Sequence, residues 1–361
     1  GLPSIMAGHI ALPEYVRYFN PNATKKELLM PATLNKYILT DLLRGKMGFN
    51  GLVVTDASHM VAMTSAMKRS EMLPTAIAAG SDMFLFFNDP EEDFEWMMEG
   101  YRKGIITDER LEEALTRILG TKAALGLHKK AKTEILPEKE VAMAKIGLEE
   151  NKAIAKEVSD KAITLVKNTQ DVLPIAPEKT KRVLLVEAKG FDGGFGKFIE
   201  IMGGAKKKPI EIVKELLEAK GFDVEIWESP IDKIMKLPKE EILMKLLDVY
   251  SQKRPIAELT GKYDLIINIA NVNASVDQRL QWPPSKGTPD IPFYVNEIPT
   301  IFVSVKCPFH LADVPQVKTY INTYDDNQQT LEALVEKLVG NSEFKGISPV
   351  DAFCGFGDTR F

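Results

Sequence analysis

The chain has 361 residues, of which 45% are hydrophobic and 27% charged, and its formal net charge is −5. This length exceeds that of one compact domain of typical size and predicts two domains. The negative net charge leaves no basic surface for nucleic acid. No run approaches the roughly 18 apolar residues of a membrane span, and no charged-then-apolar signal pattern follows Gly1.

Two cysteines, Cys307 and Cys354, are too few for a disulfide framework and lack metal-ligand spacing. We interpret both as buried free thiols. They do not decide the redox compartment, so bacterial cytoplasm and a cell-envelope or secreted location both stay open. The start at Gly1, without methionine, suggests processing or truncation.

Strand and helix patterns alternate along the first 128 residues. Apolar runs predict strands at 4–11, 52–56 and 82–87. Helices are predicted from Pro31, through Met72 to Gly80, after the turn at 88–90, and from an N-cap at Thr107. Three β/α units in series imply parallel strands joined by right-handed crossovers.

A second α/β set follows a predicted linker at 129–138 and a long predicted helix over 139–166. Strands alternate with helices in the order of a doubly wound open sheet. The predicted strands are 182–186, 223–227, 264–269, 300–304 and 317–324, and the predicted helices lie near 208–219, 239–250 and 327–339.

The strand ending in Asp56 carries the most information about function. Its continuous apolar run, Leu52-Val53-Val54, is bounded by glycine and is typical of a strand covered on both faces. The carboxyl ends of parallel strands are where α/β sheets place their chemistry. Two interpretations of Asp56 follow: a catalytic carboxylate, or the cap of the next helix.

Other polar and sulfur-containing residues give weaker signals. His9 and His59 fall on the presumed active face, although a lone histidine is more often structural. Met6, Met60 and Met63 suit packing, with a sugar-lining role as the alternative. We assign structural roles to His128 and His310, and a flexible loop to the glycine-rich segment 190–196.

An ordered series of motifs carries a resemblance to glycoside hydrolase family 3. The ending Thr55-Asp56-Ala57, with Met60 nearby, is similar to the β-N-acetylglucosaminidase branch; β-glucosidases tend to place Trp after the acid. The series is Met6-Ala7-Gly8-His9-Ile10, Pro31-Ala32-Thr33-Leu34, Gly48-Phe49-Asn50-Gly51, Ala79-Gly80-Ser81-Asp82-Met83, Ala162-Ile163-Thr164-Leu165-Val166-Lys167-Asn168 and Pro308-Phe309-His310-Leu311-Ala312-Asp313.

The resemblance implies a fold and a domain plan. Residues 1–128 are expected to form about strands 6–8 of a (β/α)8 TIM-type barrel. Residues 129–160 are expected to be a linker and connecting helix, and residues 161–361 a doubly wound α/β sandwich domain. The chain thus resembles the C-terminal part of a longer enzyme.

The resemblance also implies a retaining glycosidase in which Asp56 forms a glycosyl-enzyme intermediate. The branch's acid/base is a His assisted by an Asp in a Pro-Gly-His-Gly type segment, which this sequence lacks and which is expected upstream. The local Ala-Ser-His does not supply it, because His59 follows the nucleophile. Substrate contacts are expected from Met6, His9, His59 and Met60, with no metal and no cofactor.

The expected function is therefore that of a β-N-acetylglucosaminidase acting on peptidoglycan or chitin fragments. The expected partner is the missing barrel segment, or another chain that associates through exposed sheet edges. Three alternatives stay open: a catalytically incomplete, non-enzymatic fragment, β-glucosidase specificity in the intact parent, and phosphate rather than water as the acceptor.

Overall fold

The computed structural model describes residues 1–190, 207–252, 254–272, 279–283 and 287–361. They form two compact units, Gly1–Met143 and Ala144–Phe361, divided within the predicted connecting segment 129–160. Each unit has a sheet of mainly parallel strands with helices, which confirms the predicted α/β class. Of the glycine-rich segment 190–196, all but Gly190 lies outside the described residues.

The first unit has a three-stranded parallel sheet with the second strand in the centre. The strands are β1 (Ser4–Ala7), β2 (Leu52–Ala57) and β3 (Met83–Leu85). β3 ends before the predicted residue 87, because the carbonyl of Phe86 accepts hydrogen bonds from the Ser58 and Arg69 side chains. The α-helices are Pro13–Phe19, Lys25–Leu28, Val61–Thr64, Arg69–Ala79, Pro90–Arg102, Asp108–Ala124, Lys132–Ile135 and Lys139–Met143.

The helix predicted from Pro31 is not a regular α-helix. A 3-10 turn, Ala32–Leu34, is followed by a π-helix, Tyr37–Lys46. Asn35 separates them with an extended backbone, and its side chain accepts a hydrogen bond from the Tyr37 amide at 3.0 Å. The apolar spacing predicted the helical segment but not its hydrogen-bond register.

Two helix ends match their predicted signals. Thr107 caps Asp108–Ala124 by accepting a hydrogen bond from the Arg110 amide at 3.2 Å. Arg69–Ala79 ends at Gly80, which adopts φ +126°. A Cβ atom there would lie 2.9 Å from Cβ of Leu39, so the backbone conformation and the close approach both require glycine.

The two faces of the first sheet differ. Val53 and Thr55 are buried, and Val53 packs with Leu39 and Ala79. On the opposite face Met6, Val54 and Met83 lie side by side in register, with Met6 60% and Met83 38% exposed. The prediction of strands covered on both faces is therefore wrong for this sheet, and the face with Met6, Val54 and Met83 is called the open face below.

The second unit has a six-stranded sheet in the order β4-β9-β8-β7-β5-β6, parallel except for β4. The chain runs outward from β5 to β6 and returns across β5 to β7, as in the predicted doubly wound sheet. Helices cover both faces: Leu185 packs with Leu217 and Leu334 on one face, and Leu184 with Tyr263 on the other. The strands are β4 (Thr164–Asn168), β5 (Arg182–Ala188), β6 (Asp223–Ile226), β7 (Leu265–Ala270), β8 (Thr300–Ser304) and β9 (Thr319–Asn322), and the α-helices are Glu149–Ala162, Pro209–Ala219, Pro230–Ile234, Lys239–Ser251, Ile256–Lys262 and Gln328–Leu338.

The long helix predicted over 139–166 is wrong in two respects. It is split into Lys139–Met143 and Glu149–Ala162, and its last predicted residues belong to β4. The β-branched and apolar residues of Thr164–Asn168 suit a strand, and they pair antiparallel with β9. Helical periodicity does not distinguish so short an apolar run from a strand.

The beginning of β3 is fixed to β2 by one buried carboxylate. Asp82 donates its amide to the Val53 carbonyl at 2.7 Å and accepts the Val53 amide on Oδ2 at 2.9 Å. The same carboxylate contacts Arg44 at 2.8 Å, Arg110 at 2.5 Å and Arg117 at 3.4 Å, and its side chain has no exposed surface. Three guanidinium groups therefore compensate one desolvated charge and set the register of the two strands.

We expect Asp82→Asn to lower the free energy of unfolding of the first unit by about 3 kcal/mol or more, because it leaves buried guanidinium groups without their counter-charge. Hydrogen exchange of backbone amides in residues 52–57 would measure this change. The matched control is Glu113→Gln, since Glu113 also pairs with Arg110 and Arg117 but is 55% exposed. The control should cost at most about 1 kcal/mol. Equal effects of the two substitutions would contradict the role given to Asp82.

Candidate active site

A β-bulge lies at Asp56, between the paired residues Val54 and Ala57. Val54 pairs with Met83 and Ala57 pairs with Leu85, so β2 advances three residues where β3 advances two. At this irregularity the Thr55 hydroxyl accepts a hydrogen bond from the Leu85 amide at 3.0 Å. Bulges of this kind re-aim side chains and are common beside active sites.

The Asp56 carboxylate is half-buried at the carboxyl end of β2. Leu52, Val54 and Asp56 alternate with the buried Val53 and Thr55, which places the carboxylate on the open face. Its Oδ1 accepts a hydrogen bond from the Ala57 amide at 2.7 Å. The alternative interpretation, in which Asp56 caps the next helix, is wrong. That helix is Val61–Thr64, wholly within the described residues; its N-cap residue is Met60, and it has no side-chain capping hydrogen bond.

His9 contacts the residue that follows Asp56 and is almost enclosed, with 8% of its surface exposed. Its Nε2 lies 2.9 Å from the Ala57 carbonyl oxygen, and its Nδ1 lies 2.8 Å from the Thr33 hydroxyl. Both ring nitrogens are thus engaged by protein groups. His9 joins the end of β1 to the end of β2.

An ion pair between an arginine and an aspartate stabilises the segment that follows the Asp56 strand. Arg69 forms a two-pronged ion pair with the buried Asp93, at 2.8 and 2.6 Å, and donates to the Ser58 hydroxyl at 3.1 Å. The Asn88 amide also donates to Asp93 at 3.0 Å. Burial opposes ionisation of Asp93, but the bonds from Arg69 and Asn88 and the charge of Arg69 outweigh it and lower the pKa of Asp93 below its ordinary value.

The remaining predicted contact residues lie at the same edge or on the open face. His59 is exposed and stacks on Phe86, with ring centroids 6.3 Å apart and an angle of 29° between the rings. Met60 is 42% exposed and Met6 is on the open face. Met63, by contrast, is fully buried in the core of the first unit, as expected for a methionine whose role is packing.

Sequence reasoning missed the supporting residues of this site. Thr33 belongs to the segment Pro31-Ala32-Thr33-Leu34, but its contact with His9 joins residues 24 positions apart. Arg69 and Asp93 are also 24 positions apart and belong to different helices. No local pattern signals such pairs, because the two partners are distant in the sequence and belong to different elements.

The other candidate residues show no further catalytic arrangement. His128 is exposed, whereas His310 is buried with Nδ1 2.8 Å from the Ser304 hydroxyl. Cys307 is buried and Cys354 only half-buried; both are free, and burial raises the pKa of each thiol. Within the described ranges no cluster of three or more His, Cys, Asp or Glu residues is placed to hold a metal ion, and no helix is long and apolar enough to cross a membrane.

Comparison with known proteins identifies the family. Residues 1–121 match the model of the glycosyl hydrolase family 3 N terminal domain. The whole chain is 38% identical over 369 aligned positions to a "Beta-N-acetylglucosaminidase/beta-glucosidase" from Cellulomonas fimi. The chain belongs to glycoside hydrolase family 3. It covers 59% of the length of that relative.

Two solved structures align with nearly the whole chain. The structure named "Beta-glucoside phosphorylase BglX" aligns over 100% of this chain and 59% of its own, with a TM-score of 0.82 and 38% identity. A family 3 β-N-acetylglucosaminidase from Paenibacillus aligns over 98% of this chain and 59% of its own, with a TM-score of 0.67. At 22% identity the second match supports the fold alone.

Proposed function

We propose that Asp56 is the nucleophile of a retaining β-glycosidase. The observation that carries the proposal is a half-buried carboxylate, next to a bulge, at the carboxyl end of the central strand of the first sheet of a family 3 chain. Two flanking strands and their loops hold this carboxylate on the open face. A sugar ring reaches it at the edge formed by the carboxyl ends of the strands.

The reaction consists of two displacements at the anomeric carbon. An Asp56 oxygen forms a bond to this carbon while the bond to the leaving-group oxygen breaks, and that oxygen takes a proton from a general acid. A water molecule then attacks the glycosyl-enzyme, gives its proton to the same group, now acting as base, and releases Asp56. The two inversions retain the configuration of the sugar.

The substrate we propose is a β-N-acetylglucosaminide, such as a peptidoglycan or chitin fragment. The segment Thr55-Asp56-Ala57, which lacks the Trp that tends to follow the acid in β-glucosidases, supports this choice. The Cellulomonas fimi relative carries both activities in its name, so the β-glucoside is the competing substrate. Rates with matched aryl N-acetylglucosaminides and aryl glucosides would separate the two.

The general acid, in this proposal, comes from a protein segment outside residues 1–361. Such a segment would cover the open face, where Met6 and Met83 are exposed. Burying this apolar surface favours association by about 25 cal/mol per Å² removed from water. The relatives that the chain matches over 59% of their length have room for such a segment.

We expect Asp56→Asn in the full-length gene product to lower kcat at least about a thousandfold, a loss of roughly 4 kcal/mol of transition-state stabilisation, because an amide is a poor nucleophile. Steady-state hydrolysis of an aryl glycoside would measure the effect. Asp41→Asn, which changes a half-buried aspartate on the helix Tyr37–Lys46, is the control and should retain activity. Azide should restore turnover to Asp56→Gly and give a glycosyl azide of inverted configuration. Wild-type rates in Asp56→Asn would refute the proposal.

We expect residues 1–361 alone to give no turnover of 4-nitrophenyl N-acetyl-β-glucosaminide, since the nucleophile is present without its proton donor. The full-length gene product, assayed in parallel, should be active. The 361-residue Asp56→Asn chain controls for contaminating enzymes. Turnover by the 361-residue chain that this substitution abolishes would contradict an external proton donor.

Phosphorolysis is a second candidate function, favoured by the 38% identity to the beta-glucoside phosphorylase BglX. The first displacement is the same, but a phosphate oxygen attacks the glycosyl-enzyme in place of water. The product is then a sugar 1-phosphate of retained configuration.

Phosphorus NMR of a reaction run in inorganic phosphate distinguishes the two acceptors. Phosphorolysis predicts a sugar 1-phosphate that accumulates in step with the released aglycone, and a rate that rises with phosphate concentration. Hydrolysis predicts free sugar and a rate independent of phosphate. Free sugar as the sole product would exclude the second candidate.

A further inference from the structure

We propose that His9 is a positioning residue that holds the backbone next to Asp56 and does not contact the substrate. This inference rests on the proposed role of Asp56. It differs from the sequence-based expectation, in which His9 binds substrate. Three observations carry it: the two hydrogen bonds of the ring, its burial, and the bonds that meet at Ala57.

The hydrogen bond to Ala57 fixes the position of one ring proton. A carbonyl oxygen accepts and does not donate, so the contact with Ala57 requires a proton on Nε2. In this tautomer of the neutral ring, Nδ1 accepts a hydrogen bond from the Thr33 hydroxyl. With both nitrogens occupied and 8% of the residue exposed, the ring offers no polar atom to a sugar.

Ala57 is the residue on which these contacts act. Its amide donates to Asp56 Oδ1 at 2.7 Å. Its carbonyl accepts from His9 Nε2 at 2.9 Å and from the Met60 amide at 3.1 Å. Ala57 also pairs with Leu85 of β3. Its amide and carbonyl are thus both fixed, and the amide in turn orients the Asp56 carboxylate.

Thr33 anchors the ring on the side away from Ala57. It is fully buried in the 3-10 turn Ala32–Leu34. The Ala32 amide donates to the Ile10 carbonyl at 2.9 Å, which ties this turn to the chain just after β1. His9 therefore links three segments: the exit of β1, the turn and the exit of β2.

Loss of the His9 bond should affect orientation more than folding. The Ala57 carbonyl keeps the Met60 amide as a partner, so it is not left unpaired. Nucleophilic attack, however, depends on the position of the carboxylate, and a misplacement of about 1 Å can cost on the order of 100-fold in rate. Substrate affinity does not depend on this bond.

Two amide substitutions separate the bonds of the ring. The Gln side-chain nitrogen superimposes on His Nε2, and the Asn nitrogen superimposes on His Nδ1. In the full-length gene product we expect His9→Asn to lower kcat by about 10- to 100-fold, with KM changed less than about twofold. His9→Gln, which keeps the donor to Ala57, should recover most of kcat, and the melting temperatures should be similar for both variants.

Thr33→Val and Thr33→Ser test the same contact from its other end. The Val side chain removes the hydroxyl at similar volume and should lower kcat, whereas the Ser side chain keeps the hydroxyl and should restore it. These variants decide the question if His9→Asn does not fold.

Several outcomes would overturn the inference. Wild-type kcat in His9→Asn and Thr33→Val would remove the positioning role. Equal losses of kcat and melting temperature in His9→Asn and His9→Gln would reduce His9 to a structural residue, and a rise in KM would indicate substrate contact. These outcomes are distinguishable from failure of the proposed function, because a wrong nucleophile assignment would appear as wild-type activity in Asp56→Asn.

Discussion

The buried charge cluster around Asp82 determines the geometry of the first unit. Asp82 binds the backbone of Val53 through both its amide and its carboxylate, while three arginines compensate its charge. A slip of β3 along β2 by one residue would break all of these contacts at once and turn the side chains to the opposite face. The position of Asp56, three residues beyond Val53, depends on this register.

The two ends of β2 have different tasks. At the amino end, Asp82 and its arginines stabilise the strand pair. At the carboxyl end, a bulge, a hydrogen bond from His9 and the Arg69–Asp93 ion pair surround the segment that carries the half-buried Asp56. In α/β barrels conserved chemistry lies at the carboxyl ends of strands and stability at the amino ends, and the contacts of β2 follow that division.

The sequence predicted the parts of this chain that depend on local pattern. Apolar runs predicted β2 and β8, and the Thr107 cap predicted the start of its helix. It could not predict the bulge at Asp56 or the pairing of His9 with Thr33, because these depend on residues distant in the chain. The prediction that both faces of the first sheet are covered was wrong for a related reason. The apolar run of a strand does not show which other elements pack on each of its faces.

The central claim is that Asp56 forms a covalent bond with the sugar. Its most direct test is to incubate the full-length gene product with a 5-fluoro or 2-deoxy-2-fluoro glycosyl fluoride, which slows release of the intermediate, and to map the adduct by peptide mass spectrometry. The account predicts one glycosyl adduct, on the Asp56 carboxylate, that disappears in Asp56→Asn. An adduct on another residue would contradict it.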